Sequence, residues 1–127
     1  MSSLTAQHAA YRRGEVLAAT PGRLVVLLYD GARRFLRQAA LALEEGQIER
    51  SHNALRRAER IIASLDNTLD FDQGEVAERL HAIYGFCLRH LNDARFAQDP
   101  ARVEEVAELL GELREAWVQV AAEVERA

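Results

Sequence analysis

Glu49-Arg50-Ser51-His52 and Glu78-Arg79-Leu80-His81 both read Glu-x-x-His. On a helix that spacing places a carboxylate and an imidazole on one face, and di-metal bundles use it on two of their four helices. The first pair falls in the opening turn of one predicted helix and the second near the start of the next. If those helices are antiparallel neighbours, the pairs lie about 25–30 Å apart by the helical rise and cannot share an ion. The stretch before them offers no mid-helix glutamate, only Asp30, which is expected to face outward. Cys87 and His90 are the one thiol–imidazole pair. Cys87 falls on an apolar helical row, where a thiol behaves as a small buried hydrophobe. Gly14, Gly22 and Gly31 follow no strand and form no phosphate-cradling loop. Trp117 fits a core row. Neither catalysis, a metal nor a cofactor is expected.

The elements that carry these residues are helices. The central one is Thr20 to Gly46, TPGRLVVLLYDGARRFLRQAALALEEG. Thr20 suits an N-cap, Pro21 the first helical position, and Gly46 a left-handed terminator. Leu24, Leu28, Ala32, Phe35, Ala39 and Leu43 share one face, with Val25, Tyr29, Leu36 and Ala40 in a row beside it. Arg23, Asp30, Arg33, Arg34 and Arg37 take the other side. Two adjacent apolar rows demand at least two helical neighbours.

The rest of the chain supplies them. Leu55, Ala58, Ile62, Leu65 and Leu69 step by three and four, as do Ala77, Leu80, Tyr84, Cys87, Leu91 and Ala94. Val103, Val106, Leu110, Leu113, Trp117, Val120 and Val124 continue the rhythm after an Asp99-Pro100 cap pair. Helices are predicted over about 21–45, 48–67, 75–97 and 100–125, with breaks at Gly46 and at Asp70 to Gly74. Short connections force an all-α, antiparallel up-down four-helix bundle. Residues 1–10 are small and polar and are expected to be disordered, leaving residues 11–127 as one domain. Tyr11, Val16 and Leu17 make the next strip too apolar for a floppy end. It either packs on the bundle as a simple lid or occupies a site meant for something else.

Bulk properties narrow the function. Sixteen basic residues, all Arg, against 20 acidic ones give a net charge of −4, which argues against nucleic acid as a partner. The longest run free of charged or strongly polar residues in the first helix, Leu24 to Tyr29, is far short of a membrane span, so no membrane insertion is expected. The opening MSSLTAQHAAYRRG lacks the apolar stretch of a secretory signal, and the lone Cys87 suits a reducing cytoplasm. What is left over is apolar surface. Val26, Ala54, Ile61, Ile83, Leu109, Ala116 and Val118 lie beside the main rows, and with Tyr11, Val16, Leu17 and Tyr29 they are the candidate partner-binding residues. Such stripes suit a partner's amphipathic helix. They would equally serve a structural or regulatory bundle that self-associates.

Four separated blocks resemble the FliS family of flagellar export chaperones. ATPGRLVVLLYDGARRFLRQA (Ala19 to Ala39) is similar to the family's opening, SP-x-x-L-x-x-x-LY-[DE]-G-A. Glu44-Glu45-Gly46, SLDNTLDFDQGEVAERLHAIY (Ser64 to Tyr84) and EVAELLGELREAW (Glu105 to Trp117) follow in the family's order. Gln73-Gly74 stands where many members have two glycines. The resemblance implies a non-enzymatic cytoplasmic binder of flagellin's disordered C-terminal region. Such a binder prevents premature polymerisation and helps deliver the subunit to the type III export gate. It implies that the client wraps over the outside of the bundle and that the segment around Tyr11 covers part of that site when it is empty. A co-chaperone is a further partner, and the oligomeric state expected is a monomer or weak homodimer.

Overall fold

The computed structural model describes residues 21–126, and among them all regular structure is helical. Helix α1 spans Pro21–Glu44, α2 Ile48–Asn67, α3 Glu75–Ala97 and α4 Pro100–Arg126, with a 3-10 turn at Phe71–Gln73 between α2 and α3. The lid, with Tyr11, Val16 and Leu17, lies outside the described residues.

The helix ends have local causes. Gly46 takes φ 72°, which lets its N–H donate to the Leu43 carbonyl at 3.2 Å and the Gln47 N–H donate to that of Ala42 at 2.8 Å. Orphan carbonyls at the end of α1 are thereby satisfied. Past α2, the Asp70 carboxylate accepts from the Asp72 N–H at 3.0 Å and starts the 3-10 turn. Gly74, at φ 83°, then redirects the chain into α3. At the end of α3 it is Gln98 that goes left-handed, at φ 52°, while the Asp99 N–H reaches the Ala94 carbonyl at 3.1 Å. A side chain in that region costs about 1 kcal/mol or more. Asp99 Oδ1 accepts from the Ala101 N–H at 3.0 Å as Pro100 opens α4.

Helix α1 is the spine. It makes extensive contact with both α2 and α4, whereas α3 completes the bundle through sparser contacts with the same two helices. Small residues explain the difference. Ala32, Ala39 and Ala40 on α1, with Ala54 and Ala58 on α2 and Ala107 on α4, are all buried and let the backbones approach. The links Arg37–Glu104, Arg33–Ala107 and Asp30–Arg114 step in opposite directions along α1 and α4, so those helices run antiparallel. Asp66–His81 and Glu59–Arg95 do the same for α2 and α3. The core is continuous and built from the helical rows, with Leu36, Leu55, Ile62, Leu91, Val103, Val106 and Leu110 almost wholly covered. The α4 row outlasts it: Leu113 and Trp117 are half-buried and Val120 is exposed. Leu28, on the core-facing row of α1, is also exposed near the same end.

Buried titratable groups give a prediction. Burial pushes the Cys87 thiol from 9.0 up to about 11, and raises Tyr29 and Tyr84 above 10.0. The folded protein therefore holds protons that the unfolded chain releases. Stability should be level below about pH 9 and fall above it. Cys87 alone accounts for about 2 kcal/mol of that loss by pH 11. Denaturant titrations of wild type and Cys87→Ala between pH 8 and 11 should show a shallower slope between pH 9 and 10 in the variant, with Tyr29 and Tyr84 supplying what remains.

Candidate protein-binding surface

The residues with catalytic or metal-binding potential are dispersed or occupied. Glu49, His52 and Glu78 are exposed, while His81 Nδ1 pairs with Asp66 Oδ1 at 2.7 Å and sets its ring edge-on to Phe71. Among the described residues no group of three or more His, Cys, Asp or Glu side chains could hold a metal ion. Cys87 is enclosed, and His90 is stacked on Phe86 with its Nε2 2.7 Å from Glu105 Oε2, across the α3–α4 seam.

The surface is where sequence and structure part company. Tyr29 and Ala54, expected at a partner site, lie in the core and line no surface. Tyr29 is wholly buried because the second apolar row of α1 faces inward like the first. Val26, Ile61, Ile83 and Leu109 are half-buried, and the last three also pack against the core. Ala116 and Val118 are exposed. The largest exposed apolar side chains on α1 and α3 are others: Leu27 and Leu41 on α1, 42% and 54% accessible, and Phe86 and Phe96 on α3, 46% and 82% accessible. One signal could have found the α1 pair. Leu27, Arg34 and Leu41 stand one heptad apart, on a row clear of both core rows.

The run Leu28-Tyr29-Asp30-Gly31-Ala32 fixes α1 and thereby its exposed strip. The Tyr29 and Tyr84 hydroxyls meet at 2.5 Å inside the bundle, joining α1 to α3. Desolvation raises the Tyr29 pKa, and the hydrogen bond with Tyr84 offsets part of the rise. Asp30, expected to face outward, keeps its side chain 38% exposed and also accepts from Arg114 of α4. Arg33 also points into the α1–α4 seam, where its Nε donates to the Ala107 carbonyl at 2.9 Å and its guanidinium lies against Gly111. A Cβ on Gly31 would meet Ile61 Cδ1 at 3.4 Å, so α1 and α2 pass closely there. Beyond it, Arg34 and Arg57 each place a guanidinium 5.6 Å from the centroid of the Phe35 ring. At the far end, Leu43, Ile48, His52, Leu55, Arg95 and Gln98 border a cavity of about 400 Å³. An arrangement of exposed apolar strips on a filled core suits the binding of another chain.

Comparison with known proteins is consistent with that. The model of a family described as "Flagellar protein FliS" matches residues 3–124. The chain is 35% identical to the "Flagellar secretion chaperone FliS" of Bacillus subtilis over 112 residues, covering 88% of this chain and 84% of that one. It is 37% identical to the protein of the same description from Salmonella typhimurium over 107 residues, covering 83% and 79%. With the "Flagellar secretion chaperone FliSB" of Pseudomonas aeruginosa it shares 34% identity over 104 residues, covering 81% and 82%.

Proposed function

The chain belongs to the FliS family of flagellar secretion chaperones, a family of binders and not of enzymes, and from that premise we propose that it binds the C-terminal region of flagellin. In this reading it works in the cytoplasm, keeps the flagellin tail from polymerising and presents the subunit to the flagellar type III export apparatus. The observation that carries the proposal is the set of large apolar side chains left outside a core that is already full, Leu27, Leu41, Phe86 and Phe96 above all. They lie on α1 and α3, which suits a client that folds as it wraps around the bundle.

The energetics fit release as well as capture. Fully covering one such side chain contributes about 1.5–3 kcal/mol. A disordered client gives back part of the total in ordering its own backbone, which holds affinity to a moderate level over a large contact area. Residues 1–19, with Tyr11, Val16 and Leu17, are proposed to lie over part of the same surface in the absence of client. Any such cover lowers apparent affinity by the fraction of molecules it blocks.

The test is co-purification from the native host with flagellin, whole and lacking roughly its last 40 residues, a length ample for several helical turns. Whole flagellin should be retained and the truncated form lost. Equal retention of both would overturn the assignment of the C-terminal region. Removing residues 1–19 of the chaperone should strengthen capture of the whole flagellin.

A further inference from the structure

Charge is divided unevenly over the bundle. Helices α1 and α2 carry eight arginines against five carboxylates, and α4 carries seven glutamates against three arginines. Much of the surplus of positive charge converges on one line. Arg34 of α1 and Arg57 of α2 approach the same Phe35 ring, and Arg60 lies one turn along α2 from Arg57. All three are exposed, and none has a carboxylate partner among the described residues. Elsewhere the bundle does pair its arginines: Arg37 with Glu104, Arg95 with Glu59, and Arg114 with Asp30. Two cations held at one aromatic ring repel each other, and the ring's attraction, about 0.5–1 kcal/mol at an exposed site, only partly offsets this. The same seam is apolar along its length. Leu27 and Leu41 flank Arg34 one heptad on either side, and Ile61 closes against Gly31 a turn beyond Arg57.

We propose that the α1–α2 seam is a docking site for an acidic amphipathic segment of the exported client. The segment's apolar face would lie on Leu27, Ile61 and Leu41, and its carboxylates would meet Arg34, Arg57 and Arg60. This rests on the function proposed above and adds a selection rule to it. Apolar contact alone accepts any greasy helix, whereas a guanidinium accepts a carboxylate in a two-pronged hydrogen bond and disfavours a cationic flank. The seam's charge therefore distinguishes among amphipathic segments of equal hydrophobicity.

The experiment uses the full chain and two labelled amphipathic peptides with the same leucine face. One carries glutamates and the other lysines along the flank. Anisotropy titrations at about 50 and 300 mM salt bracket the range over which exposed charges become screened. The glutamate peptide should bind at least tenfold more tightly at low salt, with the margin shrinking severalfold at high salt. Arg34→Gln/Arg57→Gln/Arg60→Gln should abolish the margin, and Arg57→Glu should shift preference toward the lysine peptide. Glutamine is a good helix former and these positions are exposed, so the fold, checked by circular dichroism, should be kept. Equal binding of the two peptides, or an unaltered margin in the triple variant, overturns the proposal. A flagellin C-terminal fragment titrated in parallel separates the two claims. If it binds while the peptides are not distinguished, the charge rule falls and the chaperone function stands. If it fails to bind while the glutamate peptide does, the flagellin assignment falls and the acidic preference stands.

Discussion

Replacing Leu27, Leu41, Phe86 and Phe96 together by glutamine is expected to weaken binding of the flagellin C-terminal region by about 100-fold, while the bundle keeps its helicity. The four side chains are between 42% and 82% accessible, so each has roughly half its surface or more to offer a client. Covering half of a leucine or phenylalanine contributes about 1 kcal/mol, and four such losses exceed the 2.7 kcal/mol or so that a hundredfold represents. The same exposure means the free protein loses little, because surface substitutions usually change stability by about 0.5 kcal/mol or less each. Half-buried positions make poorer probes. Ile61 and Leu109 pack partly on the core, so a polar group there would weaken the fold and the surface at once. Calorimetric titration with a denaturation curve for each protein makes the check. Intact stability with unchanged affinity would mean that the client uses other contacts.

The second large effect concerns the core. Tyr29→Phe and Tyr84→Phe should each lower the unfolding free energy by about 1–3 kcal/mol. The two hydroxyls are bonded to each other inside the bundle, so either change leaves the other hydroxyl without that partner. The double variant should cost less than the two single losses added, since fewer buried polar groups are then left unpaired. Urea denaturation of the three variants gives the comparison, and a double loss equal to the sum of the single ones would contradict the pairing.

How far residue order alone predicts this molecule depends on what each residue interacts with. The buried rows of α2 and α3 follow from three-and-four spacing, because a residue on the apolar side of an amphipathic helix has only one place to go. Asp99 and Pro100 announce the start of α4 because their preferences are local. Arg33 and Asp30 were harder to place. A charged residue beside an apolar row can face water or reach across to a neighbouring helix, and periodicity does not distinguish the two. Gln98 takes the left-handed geometry of a helix terminator with no glycine to mark it. The proposed binding surface was the least legible part. Spacing tells which face of a helix is apolar; whether a neighbour then covers it depends on where the bundle ends and how closely helices approach. That is why Tyr29 and Ala54 turned inward while Leu27, Leu41, Phe86 and Phe96 were left outside.

The most direct measurement is calorimetric titration of the full chain with a peptide of roughly the last 40 residues of the host's flagellin, at several temperatures and with helicity followed in parallel. Saturable one-to-one binding with a negative heat-capacity change and a gain in helix is expected, the signature of a disordered segment folding onto apolar surface. No heat and no added helix at concentrations well into the micromolar range would contradict the claim that these exposed strips are kept for that client.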